Sequence, residues 1–279
     1  MSPSAASSPR PTGPNKPNDS TDSTEPEAPA PNQAGQRGSS NQGLFDRWKK
    51  GKSGSESRHY ARLDVPLLDA IGSLRELAND LWPKLVQRGS RSGPTRYLFV
   101  SPRRNAGTTL VTASAALGLA RNLREPVVLA ELNTERPALA SYLAAGEGPG
   151  VGELLVGAAE PGYCRIEVGD LDRLQVFAAG EPRVLSPGDF AHERMDRVAR
   201  DFEARGQYVL YDAPPLLEYP GSLLMVDQVD GVVLVVRGRE TEKQDLDRCM
   251  ELLDQAGAKV AGMIFNRYES DLPFGLGSV

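Results

Sequence analysis

Tyr97-Leu98-Phe99-Val100-Ser101-Pro102-Arg103-Arg104-Asn105-Ala106-Gly107-Thr108-Thr109-Leu110 is the stretch whose reading decides the fold. Its first four residues read as a buried β-strand. Thr109 to Leu123, small and apolar throughout most of its length, reads as a helix. A glycine-containing loop joins the two. Strand, loop and helix in this order form the setting of a phosphate-binding loop. Such a loop works because successive backbone N–H groups and a helix N-terminus point at one anion. The usual pattern ends Gly-Lys-Ser/Thr. Here it ends Gly107-Thr108-Thr109, so the lysine position holds Thr108.

That single position separates an ATP-using enzyme from a protein that kept the fold and gave up the chemistry. Gly107 keeps close backbone approach to phosphate, and Thr109 keeps the hydroxyl that would meet Mg²⁺. Thr108 cannot place positive charge against the β- and γ-phosphates. A charge-assisted hydrogen bond contributes about 1.5–3 kcal/mol. Its loss weakens ATP binding by a factor of roughly 10 to 100. Transfer chemistry suffers more, because the charge matters most in the transition state. Arg103 and Arg104 offer two readings: partial replacements for the lysine from the other end of the loop, or plain solvated charges.

Two more positions carry candidate chemistry. Tyr208-Val-Leu-Tyr-Asp212-Ala-Pro-Pro215 is an apolar strand ending in Asp, the pattern whose carboxylate holds Mg²⁺. Pro214 and Pro215 then force an extended loop. Glu131-Leu-Asn-Thr-Glu-Arg-Pro137 sits at the carboxyl end of the second strand, where ligand sites of α/β folds gather. Glu131 there acts on a water or on Mg²⁺, or the segment is only a surface turn. Catalytic candidates are therefore Glu131 and Asp212, and metal candidates are Thr109 and Asp212.

Short apolar strands alternate with helical stretches along the chain. Strands are expected at 126–130, 174–179, 207–211, 231–236 and 259–265. Helices are expected at 69–81, 190–205 and 241–256, with a short one begun by Gly150-Val-Gly-Glu-Leu-Leu155. Met195, Val198, Ala199 and Phe202 share one face of the helix over 190–205. This alternation implies an α/β fold whose mostly parallel sheet is covered by helices on both faces.

The expected organisation is a Pro/Ser/Gly-rich tail over 1–57, a helix and linker over 58–95, the main domain over 96–268 and a short tail over 269–279. The first tail cannot bury a core and is expected to be disordered. Leu44, Phe45 and Trp48 break its pattern. They read either as a docking peptide or as a chance apolar spot.

The chain has 279 residues and a formal charge of −5. The acidic balance argues against nucleic-acid binding, which needs a basic surface. Cys164 and Cys249 stand far apart and read as packed apolar residues in a reducing compartment. His59 and His192 each lack the partners of a catalytic or metal site. No apolar run approaches the ~18 residues of a membrane helix, and the N-terminus lacks a signal pattern. The expected location is cytoplasmic, with recruitment to the inner membrane face only through a partner.

The order of these segments resembles the cytoplasmic bacterial tyrosine kinases of capsule and exopolysaccharide synthesis, the CpsD/CapB-like branch of the MinD/ParA P-loop ATPases. The resemblance runs from about Asp64 to Tyr268. It rests on the loop at 101–109, Glu131-Leu-Asn-Thr-Glu-Arg-Pro137, Gly150-Val-Gly-Glu-Leu-Leu155, Ala179-Gly180, Asp212-Ala-Pro-Pro215, Asp230-Gly-Val-Val-Leu-Val-Val-Arg237 and Gly262-Met-Ile-Phe-Asn266. It implies a MinD/ParA-type P-loop fold, with ATP and Mg²⁺ as cofactors. Arg103, Arg104, Gly107, Thr108 and Thr109 would line the phosphates, and Asn266 takes the position of the family's adenine-contacting asparagine.

The departures matter equally. Glu131 and Asn133 stand where the family has aspartates, and Arg103 where MinD/ParA relatives carry a signature lysine. Asp69, Gly72 and Arg75 replace the Glu-x-x-Arg-x-x-Arg pattern used in ring assembly. Only Tyr268 remains of a C-terminal tyrosine cluster. The resemblance with its losses implies a pseudokinase that binds ATP and Mg²⁺ weakly or not at all, forms homo-oligomers or not, and docks on a Wzz-like membrane polysaccharide co-polymerase or another export component. An active autokinase with a divergent loop and a MinD/ParA-like positioning ATPase are the alternatives.

Overall fold

The loop at 101–107 is held at the centre of a sheet by the strand that precedes it. In this computed structural model the described residues are 59–61, 79–89, 93–143, 148–168, 171–186, 188–189 and 192–266. Their strands are β1 (His59–Ala61), β2 (Thr95–Val100), β3 (Val127–Glu131), β4 (Arg165–Val168), β5 (Leu174–Phe177), β6 (Tyr208–Asp212), β7 (Gly231–Arg237) and β8 (Val260–Asn266). They form one sheet in the order β1-β4-β5-β3-β6-β2-β7-β8. From β5 to β8 every pairing is parallel. Only β4 runs antiparallel to β5.

Residues 79–88 are helical and form α1. The remaining helices are α2 (Thr108–Asn122), α3 (Leu139–Tyr142), α4 (Val151–Leu155), α5 (Pro161–Cys164), α6 (His192–Arg205) and α7 (Lys243–Gln255). A 3₁₀ turn spans Pro220–Gln228.

The sheet is apolar on both sides, so it needs two helical layers. Alternation along β2 shows how they divide. Tyr97 and Phe99 join the core beneath α1 and α2, with Leu81, Leu85, Val111 and Leu119. Leu98 and Val100 join the opposite core, with Met195, Val198 and Phe202 of α6, Val151 and Leu155 of α4, and Cys249 and Leu253 of α7. The helix face expected at Met195, Val198, Ala199 and Phe202 is buried as read. Both cysteines are buried and free. Burial lifts both thiols, that of Cys249 to about 12. α2 packs so closely because nine of its fifteen residues are Ala, Gly, Ser or Thr; most of it is buried.

Apart from α1, boundaries shift by one or two residues from the sequence reading. α1 continues to residue 88, past the expected end at Leu81. β1 and β4 escape the sequence reading altogether. They are three and four residues long and lie at the sheet edge, too short for periodicity to show. Asp69, Gly72, Arg75, Tyr268 and the apolar spot at 44–48 lie outside the described residues. Among the described residues no helix is long and apolar enough to cross a membrane.

α1 is tied to the sheet by one buried polar bond. The Tyr97 hydroxyl donates to the Leu85 carbonyl at 2.7 Å. That carbonyl belongs to the last turn of α1, where carbonyls lack partners within the helix. Tyr97→Phe is expected to lower unfolding free energy by about 0.5–1.5 kcal/mol in urea titration. An unchanged midpoint would show that apolar packing alone docks α1.

Candidate functional site

The carboxyl ends of β2, β3 and β6 meet at one edge of the sheet. Phe99 pairs with Asp212 and Asp212 pairs with Glu131, so the register places the two carboxylates on adjacent strands at the same level. β2 leads directly into the loop. Asn105 at φ 62° and Gly107 at φ 83° turn the backbone sharply, and α2 begins at Thr108. A side chain at Gly107 would be strained by its positive φ, and an added Cβ would crowd the Asn266 side-chain amide.

Asn266, the last residue of β8, donates from Nδ2 to the Ala106 carbonyl at 2.7 Å. It thus braces the loop from the side. Thr108 is buried at the first helical position and presents no charge. Its carbonyl accepts from the Thr112 hydroxyl at 2.8 Å, within α2.

Glu131 and Asp212 are both fully buried but live in different surroundings. Glu131 Oε1 accepts the N–H groups of Ala138 at 2.6 Å and Leu139 at 3.0 Å, and Oε2 accepts the N–H of Ala179 at 3.0 Å. Its carboxylate therefore caps α3 and anchors the segment after β5. Burial raises its pKa, and the three N–H groups oppose the rise. Asp212 has neither oxygen in a hydrogen bond of normal geometry. Burial first, and the neighbouring Glu131 second, push its carboxyl well above the usual range; the Thr109 hydroxyl pulls the other way.

The loop arginines are engaged with carboxylates. Arg103 makes a two-pronged pair with Asp245 of α7, with Nε and Nη2 each 2.8 Å from an oxygen. Its side chain is 57% exposed, so the pair is worth little energetically but holds the guanidinium toward α7. Arg104 pairs through Nε with Glu218, and its Nη2 donates to the Tyr219 hydroxyl. Its guanidinium lies 5.4 Å from the centre of the Tyr219 ring. Neither arginine is a simple solvated charge.

Further residues enter the site that sequence reasoning did not single out. Arg237, the last residue of β7, reaches the Asn105 carbonyl at 3.5 Å and pairs with Glu240 at 2.6 Å. Glu218 and Tyr219 follow the paired prolines. Their signal was available only as acidic and aromatic residues after Asp212-Ala-Pro-Pro215, which names no partner. Glu153 likewise accepts the Gly150 N–H at 2.8 Å and pairs with Arg183, fixing the start of α4.

The site fits a divalent cation and a phosphate in part. The orphaned Asp212 carboxylate and the Thr109 hydroxyl would hold Mg²⁺, and the loop amides around Gly107 would meet phosphate. Among the described residues no group of three or more His, Cys, Asp or Glu gathers to hold a metal by itself. A cation here would need phosphate and water to complete its shell.

No protein-family model matches the chain. The chain is 24% identical over 174 residues to the tyrosine-protein kinase CpsD of Streptococcus agalactiae, covering 61% of this chain and 73% of that one. The chain is thus similar in sequence to a bacterial tyrosine-protein kinase. The fold agrees. The kinase domain of the Escherichia coli tyrosine kinase ETK superposes with a TM-score of 0.63 at 17% identity, over 82% of this chain and 91% of that one. The MinD cell division protein of Aquifex aeolicus superposes with a TM-score of 0.51 at 18% identity, over 63% and 70%. The mostly parallel sheet with helices on both faces is thus the MinD/ParA-type P-loop architecture.

The two buried carboxylates should respond oppositely to neutralisation. A raised folded pKa means that ionised Asp212 works against the fold. The penalty is absent below its ordinary value of 3.8 and grows as pH rises through the window above it. Asp212→Asn is expected to stabilise the chain at pH 7 by on the order of 1–3 kcal/mol, the gain shrinking as pH falls toward that ordinary value. Burial raises the Glu131 pKa as well, but its two oxygens accept three N–H groups, so Glu131→Gln is expected to destabilise by a comparable ~1–3 kcal/mol, because the new amide NH2 would face a backbone N–H donor. Chemical denaturation of both variants at pH 7 and pH 5 checks the two signs.

Proposed function

We propose that this chain is a bacterial tyrosine-kinase relative with weakened phosphoryl chemistry, acting as a regulator or scaffold in exopolysaccharide or capsule synthesis and export. It would work at the inner face of the membrane, recruited by a Wzz-like polysaccharide co-polymerase or another export component. The observation that carries the reading is the state of positive charge at the loop. The lysine position is Thr108, and Arg103 and Arg104 are engaged by Asp245 and Glu218. Phosphoryl transfer relies almost wholly on positioned charge, so this loop is poorly equipped for it. Glu131 adds to the deficit, since both its oxygens are engaged by backbone N–H groups.

What remains supports weak nucleotide binding. Gly107 keeps the turn, Thr109 and Asp212 would hold Mg²⁺, and Asn266 braces the loop where it could also meet a base. A bound Mg²⁺ would supply charge against the phosphates. The residues of this chain would orient the nucleotide and hold the loop in its bound shape.

One observation favours a second reading. Both Asp212 oxygens are buried without a hydrogen bond of normal geometry, an arrangement that costs stability and persists where a ligand repays it. An active autokinase or ATPase would use that residue.

Calorimetric titration of ATP and ADP, with and without Mg²⁺, into the full chain tests the choice. Weak binding without turnover is expected. Thr108→Lys is expected to bind Mg·ATP about 10- to 100-fold more tightly. Phosphate release by the unaltered chain, abolished in Asp212→Ala, would establish the enzyme instead.

A further inference from the structure

The segment after Asp212 is laced onto the loop. The Ala213 N–H donates to the Phe99 carbonyl at 3.0 Å, Leu216 to Ser101 at 2.8 Å and Leu217 to Pro102 at 3.2 Å. Glu218 comes next, and this lacing carries it beside Arg104. One of its oxygens accepts the backbone N–H of Arg104 at 3.1 Å, and the other accepts the Arg104 Nε. The same side chain therefore takes a main-chain donor of the loop and the guanidinium attached to it. Tyr219 completes the grip through its hydroxyl and ring face. The pair is largely shielded, with side-chain exposures of 30% for Arg104 and 21% for Glu218.

A backbone N–H joined to an arginine fork is the donor set with which proteins bind phosphate. Here a carboxylate of the chain itself sits on that set. We propose that Glu218 sets the nucleotide affinity of the loop by acting as an internal anion, occupying the Arg104 donors that a bound phosphate would otherwise take. This rests on the reading of the loop as a nucleotide site. Arg104 then adds no net attraction for phosphate until Glu218 leaves it, and the ligand must displace the carboxylate to bind. Arg103 differs, because its partner Asp245 belongs to α7 and holds an exposed side chain away from the loop backbone.

Two consequences distinguish this role from simple bracing. Neutralising Glu218 should tighten binding, whereas removing a brace would loosen it. The gain should also be larger with the Arg104 guanidinium than without it.

The experiment titrates Mg·ATP calorimetrically into the full chain and into Glu218→Gln, Arg104→Gln, the double variant and Thr108→Lys. Glu218→Gln is expected to bind about tenfold more tightly than the unaltered chain, with Glu218→Ala giving the same ordering by a second route. Arg104→Gln alone leaves the Glu218 carboxylate unpaired beside the loop and should not tighten binding. In the double variant the gain should shrink, because only the backbone N–H of residue 104 is then freed, which is the coupling signature of a shared donor set. Thermal unfolding of each variant confirms that it is folded. If Thr108→Lys binds Mg·ATP while Glu218→Gln and Glu218→Ala bind no better than the unaltered chain, the internal-anion role is wrong and the nucleotide reading survives. A gain that persists undiminished without the Arg104 guanidinium also overturns the role. If no variant binds at millimolar Mg·ATP, the nucleotide reading falls and the role falls with it.

Discussion

Two carboxylates buried side by side at the carboxyl edge of the sheet set the terms for the rest of the molecule. The parallel register of β3 and β6 leaves Glu131 and Asp212 no choice but to share a level. Burying one charge is expensive and burying two together is worse. Glu131 is accommodated because three backbone N–H groups converge on it. Those bonds draw α3 and the segment after β5 over the sheet edge, so the shape of that edge follows from the need to satisfy one side chain. Asp212 receives no such help. Its carboxyl is left poised beside Thr109, where a cation would relieve it.

Positive charge at this edge is present but directed elsewhere. Arg103 points to α7, and Arg104 is held by the segment after β6. Arg237 touches the loop tip and also Glu240. Arg103 and Arg104 belong to the loop and Arg237 reaches it from β7, and each is matched by a carboxylate from outside the loop. A loop lysine would have sat at the helix start with no such competitor. Thr108 preserves the helix and the backbone turn while removing the charge that chemistry needs.

Much of this was legible in order along the chain. Strand, loop and helix at 97–123 announced the phosphate loop, and the apolar strand ending in Asp212 announced its partner. Periodicity found α6 and its buried face because fourteen residues give several turns of evidence. It failed for β1 and β4, whose few residues carry no period. Glu131 was legible as a strand-end acid but not as a cap, because its three donors come from residues 138, 139 and 179. The engagement of Arg104 was hidden for the same reason. Glu218 lies more than a hundred residues away, and only the pairing of β2 with β6 brings them together.

The sequence by itself determined that this is a mostly parallel α/β protein with a P-loop lacking its lysine, since those properties reside in local runs of residue types. Strand propensity, helix spacing and the identity of residue 108 need no neighbours to be read. Only the tertiary structure decided which buried acid is satisfied and which is not, and which carboxylate holds each loop arginine. Those outcomes depend on distances between segments far apart in the chain, and hydrogen bonds and ion pairs act only over a few ångströms.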